Sequence, residues 1–502
     1  MTAANTADRI RDVVVVGGGL VGWSAAAALR RKIPALRVTV VPLPPPPDAL
    51  AERISSTLPS IIEFHRDIGM SDGDAPLRAN CSFRLGTEFQ HWDGPLPSYV
   101  HAYDRYGQPF GTASFHVHWV RQAQAGSTPP FDHYSPAAAI ARAGRFTLPE
   151  TDPAHLLAHF EYGLALDPAA YPQMMRAYAL HIGAIERQGA VEGVRIDSET
   201  GFIAALALDD GGELKADLFV DCTGPRALLR GQLDETFEDW SAWLPCDRLL
   251  LADAAPAADP SPLDRAIAHG AGWRWIAQSR SRTSHGFAYA SAELSDDKAA
   301  RTLRGHAAAD PQAPIALRQG RRPQPWLRNC VALGDAATMI EPLEWTNLHL
   351  AHSAIDRLVA MMPDRDCAPV ELWDYNRQCA AESDRVRDFL ALHYAASNRD
   401  ESFWRRMRDT APPESLAHTM RLFAERGRLP FYEDETFTRD SWLAVLLGQG
   451  VIPRRTDPLI DSVPPGQSEK AMAALRDGIS RIVPALPTQA EFLNHMQRQA
   501  AR

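Results

Sequence analysis

Glu344 is a residue of this chain whose type could do chemistry. It lies in Ile340-Glu341-Pro342-Leu343-Glu344-Trp345-Thr346-Asn347, a carboxylate between a proline turn and a tryptophan. A carboxylate beside an aromatic ring can stabilise a developing cation and take its proton. The same carboxylate could instead be an ion-pair partner, and both readings stay open at this stage. Three further segments combine glycine with an acid or a helix start. Gly17-Gly18-Gly19-Leu20-Val21-Gly22 has the spacing G-x-G-x-x-G, and Asp221-Cys222-Thr223-Gly224 and Gly334-Asp335 follow far downstream. Glycines at such spacing let a backbone approach a pyrophosphate, whose charge faces a helix N-terminus.

The elements that must position these residues are readable. Val13-Val14-Val15-Val16 is a β-branched run of the kind buried on both faces of a sheet. After the glycines comes an alanine-rich helix to Arg31, then a strand over Arg37 to Val41, a βαβ unit. Context gives the glycine motif its meaning, since alone it is only a tight turn. Asp221 and Asp335 each stand at an expected strand end. Singly, each is also what a turn or a helix N-cap looks like. In this order the three segments argue for FAD over NAD, with Gly17, Gly19, Gly22, Asp221, Gly224, Gly334 and Asp335 as the cofactor contacts. The second strand ends at Pro42, where an acid commonly holds the adenosine ribose.

Prolines 44–47 form a loop, and Pro59 to Met70 a helix. Asn80 to about Thr147 alternates Tyr, Phe, His and Trp in short segments, which predicts sheet and loops. Tyr171 to Gly189 reads as a helix, Val191 to Leu214 as antiparallel strands around Asp209-Asp210-Gly211-Gly212, and Leu327 to Asp335 as one strand. His116-x-His118 has a metal-like spacing, but no convergent Cys or carboxylate set accompanies it, so packing is the favoured role and no metal is expected.

Composition excludes several classes. With net charge -10 and no dense basic run, nucleic acid is not an expected partner. No apolar run reaches the ~18 residues of a membrane span; the longest, Val13 to Leu29, is interrupted by four glycines. Six scattered cysteines without a C-x-x-C pair read as reduced thiols. The polar stretch Met1 to Asp12 shows no signal peptide, so the cytoplasm is the expected location.

Asn329-Cys330-Val331-Ala332-Leu333-Gly334-Asp335-Ala336-Ala337 followed by Ile340 to Asn347 resembles the flavin and halide region of the flavin-dependent tryptophan halogenase family, which reads E/D-P-L-E-S-T-G there. Gly17 to Trp23, Trp243-Leu244-Pro245-Cys246-Asp247-Arg248, Gly272-Trp273-Arg274-Trp275, Asp384 to Trp404 and Ser441-Trp442 through Gly450 resemble the same family, so the likeness spans nearly the whole chain. It implies an α/β fold: a Rossmann-like FAD-binding core of the GR2 flavin monooxygenase type, a mixed-sheet substrate region and a helical C-terminal part. The expected division is an FAD module over 1–350, with substrate segments near 80–150 and 225–325 inside it, and a helical region over 351–502.

The resemblance also implies roles. Reduced FAD, supplied by a separate NAD(P)H-dependent flavin reductase, drives oxidation of chloride or bromide, and hypohalous acid travels through a tunnel to a lysine near a small, indole-like aromatic substrate. A homodimer is the implied assembly. The lysine position is Arg84, in Asn80-Cys81-Ser82-Phe83-Arg84. Arginine stays protonated and is a poor nucleophile, so a hydrogen-bonding or ion-paired role suits it better. Thr57, with Ser55 and Ser56, stands where the family has its G-E-A/G-T turn near the cofactor, the family glutamate is Glu344, its serine is Trp345 at the tunnel, and the backbone of Thr346 and Asn347 stands at the halide position. Asn347 replaces a glycine, and asparagine tolerates left-handed geometry better than most residues. Trp273 and Trp275 match tryptophans that separate flavin from substrate; two core aromatics on one strand face would show the same period of two. Arg84, Trp345 and Asn347 leave open a non-halogenating flavin monooxygenase or oxidase on this scaffold, or a noncatalytic flavin-binding homologue.

Overall fold

The computed structural model describes residues 8–92, 98–126, 128–433 and 435–502. The expectation of no signal peptide falls mostly on residues 1–7, outside the described residues. The chain forms two compact units, one of Met1–Asn80, Leu166–Ser241 and Ile315–Asp384, the other of Cys81–Ala165, Ala242–Pro314 and Arg385–Arg502. The helix Thr346–Ala360 lies in the first of these units, where it packs on the helix Leu20–Lys32.

In the first unit β1 (Asp12–Val16), α1 (Leu20–Lys32) and β2 (Arg37–Val41) form the predicted βαβ. The sheet runs in the order Trp326–Leu327, Cys330–Ala332, Leu218–Asp221, β1, β2, Ile185–Glu186. Its four central strands are parallel, with Val16 opposite both Val41 and Asp221, and Asp221 opposite Ala332. Val13 to Val16 are buried on both faces, as a β-branched run in a covered parallel sheet should be. Ala25 to Leu29 on α1 are at most 1% exposed; their small side chains let the helix lie close to its neighbours. A separate antiparallel sheet takes Val191–Ile196, Ile203–Leu208 and Glu213–Leu214, as the turn chemistry predicts.

Two expectations here need correction. Leu327 to Asp335 is not one strand: Arg328 turns left-handed at φ 55°, and Trp326–Leu327 folds back on Cys330–Ala332. The helix begun near Tyr171 spans Ala170–His181 only, because left-handed Gly183 (φ 99°) turns the chain into the edge strand Ile185–Glu186.

The second unit is built on a sheet in the order Arg248–Ala254, Thr283–Tyr289, Gly272–Gln278, Leu263–His269, Gly86–Gln90, Ser98–Ala102. It is antiparallel except between Leu263–His269 and Gly86–Gln90, so the sheet is mixed. The helix Asp296–Ala307 covers one face, burying Ala299, Leu303 and Ala307 against Leu250 and Phe287. The expectation of sheet and loops through Thr147 holds only as far as Ala102. Phe115–Gln124 and Pro136–Arg142 are helices. His116 and His118 therefore lie on a helix, two residues apart and pointing in different directions. His116 Nε2 meets the Gly427 carbonyl at 2.9 Å, and His118 meets Ser468 Oγ at 2.8 Å and the Phe110 carbonyl at 2.9 Å. Among the described residues no group of His, Cys, Asp and Glu could hold a metal, and no helix is long and apolar enough to cross a membrane.

The turn from β1 to α1 is closely packed. A Cβ at Gly22 would stand 2.0 Å from the Gly17 carbonyl oxygen. Gly22→Ala is therefore expected to cost about 1–3 kcal/mol by overpacking and to lower the thermal unfolding midpoint. An unchanged midpoint in calorimetry would remove the need for glycine there.

Candidate flavin site and aromatic pocket

Parallel register brings the predicted cofactor segments to one sheet edge. Because Val16, Asp221 and Ala332 are neighbours, the turns that follow them, Gly17–Gly22, Thr223-Gly224 and Gly334-Asp335, emerge together. Gly17 is left-handed at φ 129°, and a Cβ on Gly18 would stand 2.7 Å from the Pro42 backbone. Gly19 caps α1 with no side-chain hydrogen bond. The exposed amides of the first turn meet a carboxylate instead: Glu52 accepts from Leu20 N through Oε2 and from Val21 N through Oε1 at 3.1 Å. Loss of water pushes Glu52 up to about 7, although the two amide bonds lower it. Asp335 Oδ2 accepts from Ala51 N at 2.8 Å, and burial, with Glu52 nearby, pushes it up to about 8.

These residues fit a pyrophosphate-bearing cofactor such as FAD. The glycines leave the backbone open, the α1 dipole is unmet by its own cap, and an anion, the Glu52 carboxylate, already stands on it. Sequence reasoning missed Glu52. The signal was present: Pro42 leaves the end of β2 without an acid, and Glu52 is the next carboxylate but one in the following loop. Asp221 is otherwise engaged. It is fully buried, and its carboxylate accepts from Thr223 N at 3.0 Å, Thr223 Oγ1 at 2.6 Å, and Leu229 N and Arg230 N at 2.8 Å. That geometry makes it the organiser of the loop that carries Gly224, not a group directed at a ligand. Thr57 is buried just ahead of the helix Ser60–Ile68.

In the same unit, Glu344 and Trp345 are consecutive left-handed residues at φ 62° and 60°, immediately before the helix Thr346–Ala360. Each costs about 1–3 kcal/mol, a strain that surrounding structure must hold in place. Gln319 and Glu341 clamp the approach: Gln319 Nε2 donates to Glu341 Oε2 at 3.0 Å, and Glu341 N donates to Gln319 Oε1 at 2.9 Å. Glu344, Trp345, Thr346 and Asn347 are all buried. Asn347 Nδ2 donates to the Ile340 carbonyl at 2.7 Å. Thr346 Oγ1 and Asn347 Oδ1 are buried with no hydrogen-bond partner among the described residues. The expectation that Asn347 must tolerate left-handed geometry is wrong for this chain. It already lies inside the helix, so the positive φ angles fall on Glu344 and Trp345.

The second unit holds Arg84, 1% exposed, with Nε 2.5 Å from Asp264 Oδ2, itself 2% exposed. Arg84 also donates to Thr87 Oγ1, and its guanidinium carbon lies 5.0 Å from the Tyr103 ring centre. The acid on Arg84 is thus Asp264; Glu88, the nearer acid in sequence, faces Arg265 at 3.8 Å. Trp273 and Trp275 share one face of Gly272–Gln278 with ring centres 5.3 Å apart. Gly286, opposite Trp275 in register, gives that indole its space, since a Cβ there would stand 1.9 Å from the ring. Also in this unit, a cavity of about 340 Å³ is lined by Arg385, Phe431, Tyr432, Glu435, Phe437 and Trp442 among others. Arg385 stacks 3.8 Å from the Tyr432 ring centre and 4.6 Å from that of Trp442, and donates to Glu435 Oε2 at 2.9 Å. Phe437 stacks on Phe389 at 3.7 Å. Sequence reasoning missed this pocket, whose residues come from the helices Pro369–Ala395, Glu414–Arg426 and Arg439–Gly448 and from the loop that joins the last two.

Comparison with known proteins agrees with this geometry. The profile of the family described as Tryptophan halogenase matches residues 12–465. The chain is 30% identical to Tryptophan 6-halogenase SttH of Streptomyces toxytricini, over 96% of this chain and 98% of that protein. It superposes on BrvH, a flavin-dependent halogenase from Brevundimonas sp. BAL3, with TM-score 0.91 and 38% identity, over 97% of this chain and 99% of the other. Xcc4156, a flavin-dependent halogenase from Xanthomonas campestris, gives TM-score 0.90 and 34% identity, over 97% and 98%. This chain belongs to the tryptophan halogenase family, and is a flavin-dependent enzyme whose cofactors are FAD and halide.

Proposed function

We propose that this chain halogenates an indole-like aromatic, with Thr346 and Asn347 at the halide and Glu344 as the proton acceptor of the substitution. The observation that carries this reading is the start of the helix Thr346–Ala360: two strained residues, and two buried polar side-chain atoms with no partner among the described residues. A buried helix N-terminus attracts an anion through its dipole and its unmatched amides. The Thr346 hydroxyl adds a donor. Glu344, held in a fixed left-handed turn, is buried in the same segment, where low dielectric strengthens its effect on positive charge.

Bound FAD, in its reduced form, supplies the electrons that activate oxygen. It comes from a separate flavin reductase; use of NAD(P)H by that partner is part of this proposal. Gly17, Gly19, Gly22, Gly224, Gly334 and Asp335 hold the cofactor, with Thr57 behind them. Asp221 acts indirectly by fixing the loop that carries Gly224. The chain's own contribution is to order these groups and keep water from them. The aromatic-lined cavity near Arg385 has a volume suited to a bicyclic ring and offers flat faces to stack against.

One observation favours a second reading. Arg84 cannot form a haloamine, and its guanidinium is tied to Asp264. If delivery of the oxidant needs an amine, the same enzyme would insert oxygen instead. Incubation with reduced FAD, oxygen, bromide and an indole panel separates the two by mass spectrometry: brominated product supports halogenation, and gain of one oxygen supports the second reading.

Two variants sharpen this. Glu344→Gln is expected to lower bromination on the order of a hundredfold or more, as loss of a general base does, with FAD affinity unchanged in fluorescence titration. Equal turnover by this variant would remove Glu344 from the chemistry. Arg84→Met leaves Asp264 buried without this cation and is expected to lose about 3–5 kcal/mol of stability in denaturant unfolding. Arg84→Lys is expected to recover much of that loss and, by supplying an amine, to raise the brominated fraction.

A further inference from the structure

We infer that Glu52 is a built-in competitor for the pyrophosphate of FAD: its carboxylate must leave the α1 N-terminus before the cofactor can settle there. The inference rests on the flavin site described above and goes beyond it. Its basis is geometric. The Glu52 carboxylate receives both Leu20 N and Val21 N, the amides that G-x-G-x-x-G turns offer to phosphate. It fills the space that Gly19 keeps open, for a Cβ on Gly19 would lie 2.3 Å from the Glu52 carboxyl carbon. A carboxylate and a pyrophosphate cannot share one pair of amides without like-charge repulsion in a poorly solvated place.

The way out is short. Glu52 ends the 3-10 turn Leu50–Glu52, whose Ala51 amide is anchored to Asp335. The residue as a whole is half-buried, so rotation about its side-chain bonds can move the carboxyl away while the turn stays in place. Departure returns the carboxylate to water, which removes the desolvation that raises it to about 7 on the helix amides. The Leu50–Glu52 turn packs against α1, the helix Thr346–Ala360 and the turn Gly334–Ala336. The groups that set its charge state from these elements are few. Asp335 repels it, and Asp48 acts on Asp335. The Cys222 thiol is pushed far up by burial and stays neutral. His352 of the Thr346–Ala360 helix is pushed well down by burial and also stays neutral. Arg30, Arg31 and Lys32 sit in the last turn of α1, at the opposite end.

With Glu52 raised to about 7 where it stands, its anion is the dominant form at pH 8.5, and FAD must displace that anion there. The test is titration of the purified, FAD-free full-length chain with oxidised FAD, followed by flavin fluorescence at pH 6.0, 7.0 and 8.5, for wild type, Glu52→Gln and Glu52→Ala. Calorimetric melts of each variant verify folding. Both variants should bind several-fold tighter than wild type at pH 8.5. A folded Glu52→Gln that binds FAD no better than wild type at pH 8.5 overturns the inference; weaker binding would make Glu52 a cofactor ligand instead. If no version binds FAD at any pH, the glycine turn itself is not the flavin site.

Discussion

Val16, Asp221 and Ala332 stand side by side because three parallel strands share one hydrogen-bonding register. Almost everything proposed for the first unit depends on that alignment. Parallel strands end on the same edge, so turns more than a hundred residues apart in sequence emerge as neighbours, and ligands of open α/β sheets bind at such edges. A slip of one residue would reverse every strand side chain and separate the Gly17–Gly22 turn from Gly334-Asp335. The valines of β1 resist such a slip, since they are packed on both faces.

At this edge two helices begin without a side-chain cap, α1 at Gly19 and Thr346–Ala360 at Trp345. An uncapped start leaves amides unmatched and a positive dipole end unscreened. In α1 the chain meets that demand with the Glu52 carboxylate. At Thr346 it places two left-handed residues in front and buried polar atoms behind. Both arrangements are locally unfavourable, one through a desolvated acid and the other through backbone strain. Such costs persist only where the surrounding structure enforces them, and they concentrate at functional sites.

The second unit answers a different problem. Arg84 and Asp264 are both nearly fully buried, and an ion pair in such surroundings contributes little net stability, whereas losing one partner is severe. Arg84 is therefore held in place by a structural need as well as any catalytic one. Trp275 shows a similar dependence: its indole occupies space that exists only because Gly286 on the next strand has no side chain.

By itself the sequence determined the βαβ unit, the cofactor class and the segment around Glu344 for which chemistry is proposed. Those features are local: valine runs, glycine spacing and a short motif encode them within a few residues. Tertiary structure alone decided which acids do what. Asp221 reads as a ligand in sequence but is consumed by four donors of its own loop, and Glu52 reads as a loop acid but lands on the α1 amides. Asp264 became the partner of Arg84 from 180 positions away, a pairing that strand order imposes and periodicity cannot encode. Hydrogen bonds and ion pairs between distant segments depend on register and turn direction, and these are set only when the whole core closes.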